Sequence, residues 1–374
     1  MKYYIIAGEA SGDLYGALLI KALREQDPAA EFRFWGGDAM ATEAASAPVR
    51  HIRDLAIMGF VEVLAHLGTV LGNIKFCKRD IAAYRPDVVV GIDYPGFNLK
   101  LEAWAKQHGF KTVHFISPNL WAWKKGRIKG MRRSLDRLCY ILPFEEPFFA
   151  ENNMPQALYV GHPLLDAIAA GSQQSAASSQ LTADKPIIAL MPGSRRMELK
   201  NSLPKMVQLA QRHPEYHFVV AGMTLLGEAA YRKYIPADSP IEIAYNQTYS
   251  LLSSAHAAVV CSGTATLETA LFGVPQVVCY SGNPISYLIA KSVVGKRIKY
   301  ISLVNLIADQ PVVTELIQED FSAERLEKEF ALITTDHATR QRMFDEYAKI
   351  RTQLGDGGAI QRTAQAIHQL LTEH

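Results

Sequence analysis

The sequence predicts an α/β protein of two Rossmann-like domains, with parallel sheets facing a central cleft. Three observations carry this. Val- and Ile-rich runs alternate with helical stretches almost from end to end. Several runs are continuously apolar, as strands buried on both faces of a parallel sheet must be. The segments between them are helical and long enough for parallel crossovers.

In the first half the strand-like runs are Tyr3–Gly8, Phe32–Trp35, Val88–Ile92, Thr112–Ile116 and Arg137–Leu142. The second half offers Ile187–Met191, His217–Ala221, Ile241–Ala244, Ala257–Cys261 and Gln276–Tyr280. Between the halves lies Gly171–Asp184, a Gly/Ser/Gln/Ala stretch without apolar periodicity. The expected layout is therefore an N-terminal domain over 1–170, a linker over 171–184 and a C-terminal domain over 185–335. Helices over 336–374, broken at Gly355-Asp356-Gly357-Gly358, are expected to pack back towards the N-terminal domain.

A chain of 374 residues exceeds what one domain usually needs. Its 49% apolar and 20% charged residues are ordinary for a globular protein. A net charge of +2 is too small to grip long nucleic acid through an overall field, so no nucleic-acid partner is expected. Cys77, Cys139, Cys261 and Cys279 show no CxxC or zinc-finger spacing and read as small buried side chains in a reducing cytosol. The apolar start runs straight into Glu9 and Asp13, which suits a first strand and not a signal peptide.

In the C-terminal half, Ala257–Cys261 is followed by Ser262-Gly263-Thr264, which turns the strand into a helix. Exposed N–H groups at such a helix start bind anions, and Gly263 lets a phosphate approach the backbone. Glu268 falls four residues after Thr264, one too far for a capping box. It is then available to a ribose diol; the alternative is an acid that favours the helix N-terminus by roughly 0.3–1 kcal/mol. A second strand end repeats the pattern at Pro192-Gly193-Ser194-Arg195-Arg196, with a helical pattern beginning near Glu198. Gly193 and Ser194 supply donors there, and Arg195 supplies a fixed cationic fork for a departing diphosphate. A solvated Arg pair on a loop is the alternative. Neither loop matches GxGxxG or GxxxxGK[ST], which argues against a dinucleotide enzyme or P-loop NTPase.

In the N-terminal half, Val88–Ile92 ends in Asp93, followed by Tyr94-Pro95-Gly96-Phe97-Asn98. A carboxylate at a strand's carboxyl end suits a general base for an attacking hydroxyl; a helix cap or turn former is the alternative. The loop Gly8-Glu9-Ala10-Ser11-Gly12-Asp13 joins the first strand to the first helix. Its Ser11 or Asp13 would serve as an N-cap, or Glu9, Ser11 and Gly12 would line an acceptor site. No D-x-D motif and no metal-ligand spacing occurs, and His162 in Gly161-His162-Pro163 reads as structural. Neither metal nor cofactor is expected.

Leu55 to Ile74 holds one Glu, one His and no Lys or Arg. Glu62 and His66 argue against spanning a bilayer. Met58, Val61, Val63, Leu64, Leu67, Val70 and Leu71 exceed one narrow core stripe, so they either form a buried helix pair or meet the lipid interface. The run Lys124–Arg133 has six cations and no acid; near anionic lipid each adds roughly 1 kcal/mol, though such a run is usually a solvated face. Trp121 and Trp123 before it suit an interface, a sugar platform or a core.

Taken in order, Ala7–Asp13, Leu55-Ala56-Ile57-Met58-Gly59, Gly91-Ile92-Asp93, Ser117-Pro118 with Trp121-Ala122-Trp123, Leu142-Pro143-Phe144-Glu145, Pro192-Gly193-Ser194-Arg195 and Ser262-Gly263-Thr264-Ala265 resemble the lipid A disaccharide synthase family. The resemblance implies a GT-B fold and transfer of 2,3-diacylglucosamine from its UDP donor to 2,3-diacylglucosamine 1-phosphate. UDP leaves and an inverted β(1→6) linkage forms. It implies Asp93 as base for the acceptor 6-hydroxyl, Arg195 at the donor diphosphate and Glu268 at the uridine ribose. Asn305, in Ser302-Leu303-Val304-Asn305-Leu306, matches another functional position, and Gln247 belongs to the same donor set. The Leu55–Ile74 stretch matches the region by which the family sits peripherally on the cytoplasmic face of the inner membrane. A homodimer is among the expected assemblies. One departure stands out: where the family often has Pro-Asp-Phe-Asn, this chain has Pro95-Gly96-Phe97-Asn98. The alternatives are a UDP-GlcNAc 2-epimerase and a non-catalytic nucleotide-sugar binding protein.

Overall fold

The computed structural model describes residues 1–55, 67–120, 126–175, 183–282 and 299–373. The chain divides into two compact units, Met1–Ala167 with Leu354–His374, and Ile168–Gln353.

The first unit holds seven parallel strands: β1 (Lys2–Ala7), β2 (Glu31–Gly36), β3 (Arg50–His51), β4 (Val88–Ile92), β5 (Lys111–Phe115), β6 (Arg137–Tyr140) and β7 (Ala157–Tyr159), in the order β3-β2-β1-β4-β5-β6-β7. The second holds β8 (Ile187–Met191), β9 (His217–Gly222), β10 (Glu242–Tyr245), β11 (Ala255–Cys261), β12 (Gln276–Tyr280) and β13 (Glu315–Ile317), in the order β10-β9-β8-β11-β12-β13. Every strand pairing among the described residues is parallel. β4 and β8 are buried at every position, which is why their sequences are unbroken apolar runs.

Each sheet reverses its strand order once, between β1 and β4 in the first unit and between β8 and β11 in the second. Crossovers diverge there to opposite faces and leave the carboxyl ends uncovered, the usual place for a ligand in an open α/β sheet. The turns from β1, β4, β8 and β11 into their following helices, with the first residues of those helices, hold Glu9–Gly12, Asp93, Gly193–Arg195 and Ser262–Thr264 respectively.

The long expected strands appear with ends shifted by a residue or two. The edge strands β3, β7 and β13 are not predicted from the sequence, because with only two or three residues each they are too short for an apolar period to show. The helix Pro163–Ser175 runs into the stretch expected as a linker, and residues 176–182 lie outside the described residues. The segment 336–374 is divided between the units. Helix His337–Leu354 lies almost wholly in the second, and helix Ala359–Thr372 packs in the first, with Ala359, Ile360, Ala364 and Ile367 buried. The Asp166 carboxylate accepts from the Gly358 and Ile360 N–H groups at the start of that helix, and Arg362 Nε donates to the Val160 carbonyl at 2.8 Å.

Asp13 is a cap, though not of its own helix. Its carboxylate accepts from the N–H groups of Gly37 (2.6 Å), Ala39 (3.1 Å) and Met40 (3.1 Å), at the start of helix Asp38–Ala44. Helix Leu67–Tyr84 is fastened by a part-buried network: Asp80 takes both a bidentate Arg33 (2.8 and 2.6 Å) and the Tyr4 hydroxyl (2.7 Å), which in turn accepts from Trp35 Nε1 at 2.9 Å. Burial raises the Asp80 carboxyl, but Arg33 and Tyr4 outweigh it and hold the group below the usual range. On this helix Ile74, Cys77 and Ile81 are buried, Val70 packs partly against them, and Leu71 is 54% exposed. Met58, Val61, Val63 and Leu64 lie outside the described residues, and Leu67 opens the helix. Among the described residues no helix is long and apolar enough to cross a membrane.

Replacing Asp166 by alanine removes the two-donor cap of helix Ala359–Thr372. Stability to chemical denaturation is expected to fall by about 1–2 kcal/mol, with faster proteolysis at Gly355–Gly358; unchanged cleavage there would show that the cap does not hold the helix.

Candidate functional site

In the first unit the β1 and β4 carboxyl ends lie side by side, with Ala7 opposite Ile92. Gly8 is followed by Glu9, the half-buried N-cap residue of helix Ala10–Gln26. Gly8 before the helix and Gly12 in its first turn both allow close approach. A Cβ at Gly8 would fall 2.6 Å from the Tyr94 ring, and one at Gly12 only 3.3 Å from the Ala7 Cβ. Ser11 is half-buried on the first turn.

Asp93 and Tyr94 both adopt the left-handed conformation, φ 46° and 50°. Two such non-glycine residues in succession are costly, of order 1–3 kcal/mol each, and persist only where surroundings over-determine them. The determinants are visible. Asp93 N–H donates to the Phe115 carbonyl at 2.8 Å. The buried Asn98 amide nitrogen reaches the carbonyls of Asp93 (2.7 Å), Ile92 (3.3 Å) and Ile6 (3.3 Å), tying the ends of β1 and β4 to helix Pro95–Gln107. Tyr94 stacks on Phe97 at 5.3 Å, and burial followed by the nearby Glu9 charge raises its hydroxyl pKa. Gly96 is exposed, and a Cβ there meets nothing within 4 Å.

In the second unit β8 and β11 are neighbours. Gly193 has φ 107° and a Cβ there would meet Glu198 Oε2 at 2.3 Å, so both conformation and space require glycine. Glu198, the third residue of helix Arg196–Arg212, accepts from the N–H groups of Ser194 (2.8 Å) and Arg195 (3.2 Å). It also meets Arg195 Nη1 at 3.4 Å. The helix therefore starts two residues before Glu198, and the donors expected for a phosphate already hold a carboxylate. Ser194 and Arg195 are exposed.

On the other side of the reversal Ser262 N–H bonds the Cys279 carbonyl (2.8 Å) and its hydroxyl donates to the Ile301 carbonyl (3.2 Å). Gly263 is the N-cap of helix Thr264–Leu271 and makes no side-chain cap bond. A Cβ at Gly263 would meet open space, so packing does not explain the glycine. Glu268 is half-buried one turn in; burial pushes its carboxyl up to about 7, with the Tyr249 hydroxyl drawing it back. Gln247, exposed, stands at the N-cap position of the helix that carries Tyr249, without a side-chain cap bond.

Asn305 is buried, and its amide is committed within the fold: Nδ2 donates to the Val313 carbonyl and Glu315 Oε1 (both 2.9 Å), and Oδ1 accepts from Val313 N–H (2.9 Å). Glu315 also receives the N–H groups of Ile301 and Ser302. Since Ile301 accepts from Ser262, Asn305 reaches the phosphate-friendly turn through this network, with its own side chain turned inward.

Other motif residues have structural tasks. Glu145, buried and pushed up to about 8 by burial, accepts from Leu142 N–H at 3.2 Å. His162 is buried, its imidazole depressed to about 4 by burial, and Nδ1 accepts from Leu164 N–H at 3.2 Å. In the basic run Ile128 and Met131 are buried while Lys129, Arg132 and Arg133 are exposed; Trp121 and Trp123 lie outside the described residues. Glu198 and Asn98 went unread as site-building residues in the sequence, although Glu198 stands at capping-box spacing from Arg195. All four cysteines are buried and free.

Comparison with known proteins is consistent along the whole chain. A family model described as lipid-A-disaccharide synthetase matches residues 3–370. The lipid-A-disaccharide synthase of Geobacter sulfurreducens is 34% identical, covering 98% of this chain and 96% of that one. That of Coxiella burnetii is 36% identical, covering 98% of each. Among solved structures, UDP-GlcNAc 2-epimerase from Neisseria meningitidis bound to UDP-GlcNAc superposes with a TM-score of 0.67 at 12% identity, over 99% of this chain and 100% of that one. MurG of Acinetobacter baumannii gives 0.56 at 16% identity, over 98% and 99%. At such identities these structures share the frame alone, an α/β GT-B fold. By the span of the family match and the identity of its relatives, the chain belongs to the lipid-A-disaccharide synthetase family.

Proposed function

We propose that this chain transfers 2,3-diacylglucosamine from its UDP donor to the 6-hydroxyl of 2,3-diacylglucosamine 1-phosphate, with inversion, giving the β(1→6) disaccharide 1-phosphate and UDP. The observation that carries the reading is the family match over residues 3–370, which takes in all four carboxyl-end loops at the two strand-order reversals.

Asp93, on the braced β4 turn, takes the proton of the acceptor hydroxyl as its oxygen attacks the anomeric carbon. The second unit receives the donor. Backbone N–H groups after Gly263 and at Ser194 and Arg195, with the Arg195 guanidinium, take up the negative charge that develops on the departing diphosphate. Glu198 now holds two of those N–H groups, so the diphosphate either displaces it or binds through the guanidinium and the Gly263 turn. Glu268 accepts from the ribose diol. Asn305 serves by holding Ile301, and through it Ser262, in place. Glu9, Ser11 and Gly12 line the acceptor side, and Gln247 belongs to the donor set. Gly96 leaves open space where relatives often carry an acid, so Asp93 acts without that neighbour.

The substrates' acyl chains give a physical reason for a peripheral position on the cytoplasmic face of the inner membrane. Leu71, 54% exposed, is the described residue of the apolar stretch that supports it.

Incubated with both lipids, the protein is expected to yield UDP and the disaccharide 1-phosphate by mass spectrometry; absence of both overturns the reading, and conversion of UDP-GlcNAc to its manno epimer would replace it. Asp93→Ala is expected to retain UDP binding while kcat falls about 10²–10⁴-fold. Arg195→Ala is expected to weaken UDP binding by about 1.5–3 kcal/mol in calorimetry, as loss of a charge-assisted bond does. Glu268 supplies a pH test. Its carboxyl sits near 7 in the unliganded protein, and a diol donor favours the ionised form. Affinity for UDP-GlcNAc, whose diphosphate diester does not titrate near neutrality, should therefore rise about tenfold from pH 6 to pH 8, a single-proton linkage. In Glu268→Gln the profile should be flat.

A further inference from the structure

Beneath the Asp93 turn lies a buried ion pair that the proposed chemistry does not use. Glu102, on helix Pro95–Gln107, and His114, on β5, are both fully buried, and His114 Nδ1 lies 2.7 Å from Glu102 Oε1. The space for it is made by Gly91, directly opposite His114 in the β4–β5 register. A Cβ at Gly91 would sit 2.1 Å from Glu102 Oε1 and 2.9 Å from the Asn98 Cβ. Asn98 stands one helical turn before Glu102 and bonds the Asp93 carbonyl.

As a stabilising device the pair is poor. Glu102 Oε2 and Asn98 Oδ1 are buried without a hydrogen-bond partner. A half-satisfied polar network in a core is worse for stability than apolar residues of the same volume. Its position is more informative. Asp93 N–H bonds Phe115, the residue after His114, and the next residue, Ile116, holds φ 74°, a conformation that a β-branched side chain resists. Three left-handed residues, Asp93, Tyr94 and Ile116, therefore surround the end of this buried column.

We propose that Glu102 and His114 are positioning residues for Asp93: the pair locks helix and strand together beneath the turn, and the charge it holds on His114 acts on the Asp93 carboxylate. The inference rests on the reading of Asp93 as the base. The charged groups acting on His114 are Glu102 from the helix and Asp93 from the turn. Its neighbours on β4 and β6 are the uncharged Gly91 and Leu138. Burial pulls the imidazole down, but Glu102, then Asp93, then the Ile116 backbone outweigh it, so the ring holds its proton above the ordinary histidine range.

The test is the pH dependence of kcat in Glu102→Gln, His114→Gln and the double variant, alongside Asp93→Ala. The acid limb of the kcat profile should move up by about one pH unit in the variants, a tenfold loss at acid pH, with KM for the UDP donor unchanged. An unmoved limb in a variant with wild-type near-UV circular dichroism overturns the inference. If these variants fail to fold, histidine-labelled NMR of Asp93→Asn decides, because coupling is reciprocal. The midpoint of the buried imidazolium signal should fall relative to wild type; an unchanged midpoint overturns the inference. Turnover retained by Asp93→Ala would instead sink the reading of Asp93 as base, whatever the pair does.

Discussion

In a parallel sheet every strand ends at the same edge, and every return crossover must cover one face or the other. Uncovered backbone then collects at the single place where crossovers part. Both units obey this constraint, between β1 and β4 and between β8 and β11. The residues with chemistry stand at those two places because no interior position of such a sheet is accessible. β4 and β8 are buried throughout and present nothing until their last residue has passed.

The two units brace these loops by different chemistry. The first uses left-handed non-glycine residues held by a buried amide, Asn98, that gathers three carbonyls. The second uses glycine and a carboxylate from the following turn, Glu198, on the loop's own N–H groups. A turn clamped from below keeps its carboxylate in one place, as a proton acceptor requires. A turn closed by an exchangeable anion can open for another anion. The difference matches the two tasks proposed for these loops, proton transfer in one unit and diphosphate capture in the other.

The frame was legible wherever a strand is buried along its length, since Val88–Ile92 or Ala257–Cys261 can hardly be anything else. Edge strands such as Arg50–His51 were not, because two residues carry no period. The helix start at Arg196 was misplaced towards Glu198, a residue whose carboxylate turns back to cap the loop. Asn305 enters the donor set through the family resemblance alone, and its amide bonds Val313 and Glu315, partners eight and ten residues along that no local pattern announces. The Glu102–His114 pair was invisible. It depends on register between strands and on a glycine that looks like any other strand residue.

Helix Ala359–Thr372 belongs to the first unit, although the whole of the second lies between it and Ala167. During synthesis the first unit's sheet leaves the ribosome early but lacks the helix that covers part of it until the second unit has been made. For that interval buried surface around Cys139, which Thr363 later meets, is open to solvent. Domains made first usually also finish first. Here the order is inverted, and an elongating chain carries an unfinished core that only a late helix can close.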